Sequence, residues 1–179
     1  MFRPILCLFL SGALLLLGNS GCKTQTETVA TGQEPVQAAT NSSGFPRSWQ
    51  LVMERTPCYG TCPIYTVTID ARTGEVDFKG RRFVELEGHY RKTISEAQLR
   101  KLWQQLNDSN FWEMKPKYDD PRVSDVPNRI IQFRNLEPGT DKPEQKVVGR
   151  YQTPQAFDDL AHLIDQIARD TEGYQKVGE

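Results

Sequence analysis

Two stretches of period-two alternation, one on either side of a cysteine-containing loop, constrain this chain more than any other feature. Trp49, Leu51 and Met53 alternate with Gln50, Val52 and Glu54. Tyr65, Val67 and Ile69 alternate with Thr66 and Thr68. Side chains that change face at every residue, with the larger apolar ones on one face, describe β-strands with a single buried side. Such strands require a sheet that is covered on one face.

The pattern continues beyond them. Residues 70–74, Asp-Ala-Arg-Thr-Gly, have turn chemistry. Val76 and Phe78 mark a third, short strand, Gly80 permits another turn, and residues 83–94 read as a fourth, long strand with Gly88 at a bulge. Together these make an antiparallel meander. The period then changes. Ser95 with Gln98 three residues on is a capping-box pattern, and Leu99, Leu102, Trp103 and Leu106 share one helical face. Residues 107–110 end that helix, and Phe111, Trp112 and Met114 are expected to pack beneath the next loop. That loop is residues 115–128, which hold three prolines and no periodicity. Residues 129–136 and 146–151 are two strands joined by a hairpin connection. Thr153 is expected as the N-cap of a last helix, with Pro154 at its first position. The helix runs to about Ala168 on an apolar stripe of Phe157, Leu160, Ala161, Ile164 and Ile167. The expected fold class is α+β: an antiparallel sheet of about six strands with two helices, ordered ββββ-α-ββ-α. It occupies residues 47–170 as one domain, with 171–179 a flexible tail.

The first 21 residues read as a signal peptide. Arg3 gives a positive start, and Ile5 to Leu17 is an apolar run broken only by Ser11 and Gly12. That run is shorter than the roughly 20 residues a spanning helix needs. Gly18-Asn19-Ser20-Gly21 leads into Cys22, which resembles the bacterial lipoprotein signal, where the cysteine is acylated and becomes the mature N-terminus. Asn19 departs from the usual leucine at that place, and cleavage by the ordinary signal peptidase after Ser20 is the competing expectation. Two or more acyl chains make membrane attachment stable. Lys23, in place of Asp, resembles an outer-membrane sorting signal. Residues 22–46 then carry the attachment cysteine and a tether whose segment 23–44 lacks aromatic residues and is rich in Thr, Gln, Ala, Ser and Gly. Such composition buries too little apolar surface to offset chain entropy. As a flexible linker it would reach about 25 Å.

The densest local signal is Thr56-Pro57-Cys58-Tyr59-Gly60-Thr61-Cys62-Pro63-Ile64-Tyr65. In an oxidising compartment, Cys58 and Cys62 favour a disulfide across the loop, with Gly60 supplying a turn at positive φ. Two sharper alternatives stand beside it. Cys-x-x-x-Cys-Pro resembles the motif of membrane-tethered copper chaperones of the Sco type, with His89 or His162 as a distant ligand. Here, however, Cys62-Pro63 runs into a strand and not a helix. Zinc would need four ligands, of which only the two cysteines are placed. Cys58, Gly60, Cys62, Pro63, Tyr65, Val67 and Ile69 also resemble the C-x-G-x-C-P-x-Y-x-V-x-I stretch of a bacterial family, domain of unknown function 6438. Residues 74–80 and the Tyr118…Asp125-x-Pro127 segment extend the resemblance over about residues 49–168. That family implies a domain boundary and a cysteine pair but no activity.

The remaining constellations are weaker. Tyr118, Asp119, Asp120 and Asp125, with Asn128, cluster in the proline-rich loop. Their oxygens suit calcium in kind but not in EF-hand spacing, and acidic turn residues explain them more simply. The loop is nonetheless the expected binding surface, because long connections in compact domains tend to be functional. His89 and His162 read as surface or boundary residues. A net charge of −1 excludes a general nucleic-acid binder, and Lys79-Gly80-Arg81-Arg82 reads as a solvated hairpin tip. No nucleophile elbow, phosphate-cradling loop or H-E-x-x-H motif is visible. The expectation is therefore a lipid-anchored envelope domain, non-enzymatic, without cofactor or bound metal. Its partners would be the membrane, through its anchor, and an envelope protein or cell-wall component. A thiol redox or copper-handling role for Cys58 and Cys62 is the alternative.

Overall fold

A computed structural model describes residues 44–137 and 139–178. The leader, Cys22 and the tether up to residue 43 lie outside the described residues. The alternating segments form the strands β1 (Trp49–Arg55) and β2 (Ile64–Asp70), paired antiparallel with Leu51 opposite Ile69 and Met53 opposite Val67. β3 (Glu75–Arg82) and β4 (Gly88–Thr93) complete the meander. On the other side of β1 lie β6 (Arg129–Asn135) and then β7 (Gln145–Gly149). β6 is antiparallel to both β1 and β7, as the hairpin joining β6 and β7 requires.

Among the described residues the sheet holds eight strands and not about six, in the order β5 (Lys117–Tyr118), β7, β6, β1, β2, β3, β4 and β8 (Gln175–Lys176). The two additional strands are two residues each and sit at the edges. β5 (Lys117–Tyr118) falls inside the segment expected to be loop and pairs in parallel with β7. β8 (Gln175–Lys176) falls inside the expected tail and pairs with β4. Tyr174 holds that tail in place: its ring packs 5.7 Å from Phe78, and its hydroxyl donates to the Ala168 carbonyl at 3.1 Å. Pairs this short leave no periodicity in a sequence, because partners elsewhere in the chain create them.

A second correction concerns Gly80. It is not a turn but an interior residue of β3, and the reversal falls at residues 83–87. The loop folds back onto the strand so closely that a Cβ at position 80 would stand 1.9 Å from the Leu86 carbonyl oxygen. The glycine serves close approach, and the basic run 79–82 lies along a strand end instead of at a hairpin tip. Residues 83–94 are accordingly not one long strand, and Gly88 opens β4.

The helix α1 (Glu96–Asp108) begins with the expected capping box, Ser95 and Gln98 exchanging hydrogen bonds, and buries Leu99, Leu102 and Leu106. Phe111–Glu113 forms a 3-10 turn with Phe111 fully buried. In α2 (Gln155–Arg169), Pro154 and not Thr153 is the N-cap. The Thr153 hydroxyl donates to the Asp158 carboxylate at 2.6 Å, so it does not serve the helix amides. One face of the sheet is buried throughout: Trp49, Leu51, Met53, Tyr65, Val67, Ile69, Val76, Phe78, Ile131, Phe133 and Val147 form one core with the apolar stripes of both helices. No helix among the described residues is long and apolar enough to cross a membrane.

Candidate functional site

The chain gathers its unusual chemistry at one end of the sheet. β1 ends there at Arg55, the cysteine loop crosses to the start of β2, β6 begins there at Arg129, and β7 leaves there at Gly149. Cys58 and Cys62 lie at disulfide-bonding distance, their Cα atoms 5.8 Å apart. Gly60 stands at φ +159°, positive as expected and close to the extended region. The loop is tied to the proline-rich segment by two bonds. The Thr56 amide donates to the Asn128 carbonyl at 3.1 Å, and the Asn128 amide donates to Thr56 Oγ1 at 2.8 Å.

This pairing brings the cysteine loop and the expected binding loop together. Between them runs an open groove of about 500 Å³, bordered by Pro57, Cys58, Tyr59, Asp125, Asn128 and Arg150. Tyr59 is 92% exposed, an uncommon position for an aromatic ring. Arg150 is anchored by Asp119 at 3.4 Å, yet its Nε is buried and has no hydrogen-bond partner among the described residues. A buried donor left unpaired costs about 1–3 kcal/mol, so an acceptor bound there would be favoured.

The acidic loop residues do not converge on a common point. Asp119 pairs with Lys117 at 2.8 Å and with Arg150. Asp120 accepts from the Arg122 side chain at 2.6 Å and from its amide at 3.0 Å. Hydrogen bonds from Lys117 and from Arg122 hold these two carboxyls below the usual carboxylate range. Asp125 sits at φ +63° and accepts from the Ser124 hydroxyl. The Tyr118 hydroxyl, in β5, accepts from the Lys115 amide at 3.1 Å. Of the four, only Asp125 borders the groove. Among the described residues, no three His, Cys, Asp or Glu side chains are grouped to hold a metal ion. His89 binds Asp77 at 2.6 Å on the meander, and His162 lies exposed on α2 beside Gln166.

At the same end of the sheet lies a buried polar cluster. Asp165, on the inward face of α2 and 9% exposed, accepts from the Tyr65 hydroxyl and from both Nε (2.8 Å) and Nη2 of Arg55. The three residues come from β1, β2 and α2. Burial pushes the Tyr65 phenol above its ordinary range, and Arg55 offsets this only in part, so the hydroxyl stays protonated and donates. Asp165 lines a cavity on each side: one with Arg55, Arg129 and Asp158, the other beneath the 83–87 loop. Beside it, Arg129 pairs with Asp158 at 2.7 Å and donates to the Thr153 hydroxyl. A signal for this cluster does exist. Asp165 interrupts the apolar stripe of α2 between Ala161 and Ala168, where a carboxylate requires a buried partner. Nothing local indicates that the partners are Arg55 and Tyr65.

No curated protein matches the chain. The domain that carries both the groove and the buried cluster is recognised at the level of family: residues 50–168 match the domain of unknown function DUF6438, and the chain belongs to that family.

Proposed function

We propose that this protein is a lipid-anchored, extracytoplasmic binding module of the bacterial envelope, non-enzymatic, which recognises its partner through the groove between the cysteine loop and residues 118–128. One observation carries the reading. A nearly fully exposed tyrosine and an arginine with an unsatisfied buried nitrogen flank the same groove. Tyrosine and arginine are the residue types that dominate binding energy at interfaces. The leader, Cys22 and the tether support an address at a membrane surface, where tethering raises the local concentration of the domain near other envelope components. The cystine's role is then structural: it braces the groove's outer wall.

Photo-crosslinking from position 59 of the full-length protein in native membranes tests this. A defined adduct is expected, lost in Arg150→Gln and when residues 115–128 are replaced by a neutral linker. Absence of any adduct overturns the reading. Mass spectrometry of the membrane-purified protein should find the acyl mass on Cys22; an unmodified mature N-terminus removes the anchor.

Cys58 borders the groove, and that contact favours one alternative, a thiol redox or copper-handling role. A reduction potential above about −300 mV together with copper uptake by the reduced protein would favour it, and a lower potential without uptake would leave the bond structural.

A further inference from the structure

The cavity beneath the 83–87 loop is separate from the groove and shares none of its lining residues. Its apolar lining comes from Phe78, Val84, Leu86 and Ala168. The loop that roofs it is held down by the close approach at Gly80 and turns through Phe83 at φ +58°, a conformation that a residue with a bulky side chain rarely adopts. Strain of that kind persists where the surrounding structure over-determines it, often at ligand clamps.

The volume is about 240 Å³. That is more than the ~150 Å³ that holds a benzene-sized molecule and less than the ~300–1,000 Å³ of drug-sized pockets. One amino-acid-sized occupant fits. The charged groups narrow the class. Arg169 lines the cavity from the last turn of α2, and Glu85 lines it from the roof. Neither has an ion-pair partner among the described residues. Asp165, which also faces the cavity, is already neutralised by Arg55. His162 and Gln166 bond each other, and the Thr171 hydroxyl completes the polar lining. An apolar floor, with one cation and one anion that have no ion-pair partner among the described residues, complements a small zwitterion with an apolar side chain.

We propose that this cavity binds a free apolar α-amino acid, its side chain against Phe78 and Leu86, its carboxylate on Arg169 and its ammonium on Glu85. The probes are L-leucine, L-leucinamide, which lacks the carboxylate, and N-acetyl-L-leucine, which lacks the ammonium. They are titrated calorimetrically into the full-length protein in detergent. Leucine should bind saturably, and each derivative should bind about tenfold more weakly, as expected for losing one charge-assisted hydrogen bond. Arg169→Gln should erase the difference between leucine and leucinamide while keeping that between leucine and N-acetyl-leucine. Glu85→Gln should do the reverse. Both side chains are exposed, so the variants should melt like the parent protein. Absence of saturable leucine binding, equal binding of either derivative, or indifference to both substitutions would each overturn the proposal.

Discussion

Two groups of aspartates show what distance along the chain does to a carboxylate. Asp120 is bound by Arg122, two residues away, and Asp119 by Lys117, also two residues away. Asp165 is bound by Arg55 and Tyr65, 110 and 100 residues away. The loop aspartates answer chiefly their own neighbours at the surface, Asp119 adding a longer contact to Arg150. Asp165 staples a helix to two central strands, in a place where its charge is tolerable only because it is paired. A dense acidic loop attracts notice as a ligand site, yet here its charges are spent mainly on cations two residues away. A single aspartate on an apolar helix face draws less attention and organises more of the molecule.

The widest separation between the two groups is expected from Asp165→Ala. It leaves the Arg55 charge and the Tyr65 hydroxyl without their acceptor and should lower the unfolding free energy by about 3–5 kcal/mol, read by urea denaturation. A loss near zero would put Asp165 in the same category as the loop residues. Replacing Arg55 and Asp165 together by Met and Leu should cost much less than Asp165→Ala alone, since breaking a buried pair is worse than removing it. Tyr65→Phe removes one donor and leaves the arginine in place. The expected loss is roughly 1.5–3 kcal/mol, the range for hydrogen bonds to charged groups.

Acid should act on the loop. The folded-state values of Asp119 and Asp120 lie below the ordinary 3.8, through Lys117 and Arg122 respectively. Their contribution is therefore complete above about pH 4 and disappears as pH falls through the depressed folded values. Amide exchange at Arg122 and Val123, whose N–H groups bond to Asp120, should quicken at pH 2–3 relative to the trend of the core amides. Unchanged protection would show that these pairs do not order the loop. The smallest effect belongs to Asp120→Ala, which should leave the melting temperature unchanged within error, because exposed pairs contribute little. A clear drop in melting temperature would erase the contrast between the two regions.

What was legible in the chain is what neighbours dictate. Alternation in β1 and β2, the Ser95–Gln98 box and the stripe of α2 each arise within a dozen residues, so period and cap chemistry suffice to place them. The α+β class comes from their order. The tertiary structure alone decided the edges and the partners. β5 and β8 exist because β7 and β4 offer free backbone groups to whatever passes, and Gly80 is a strand residue because a distant carbonyl lies over it. The groove needed Thr56 and Asn128 to meet across 72 residues. The triad needed α2 to lay Asp165 over the ends of two strands. Local sequence carries torsional preference and face; it does not carry the identity of a group brought into contact from a hundred residues away, because packing of the whole core sets that encounter.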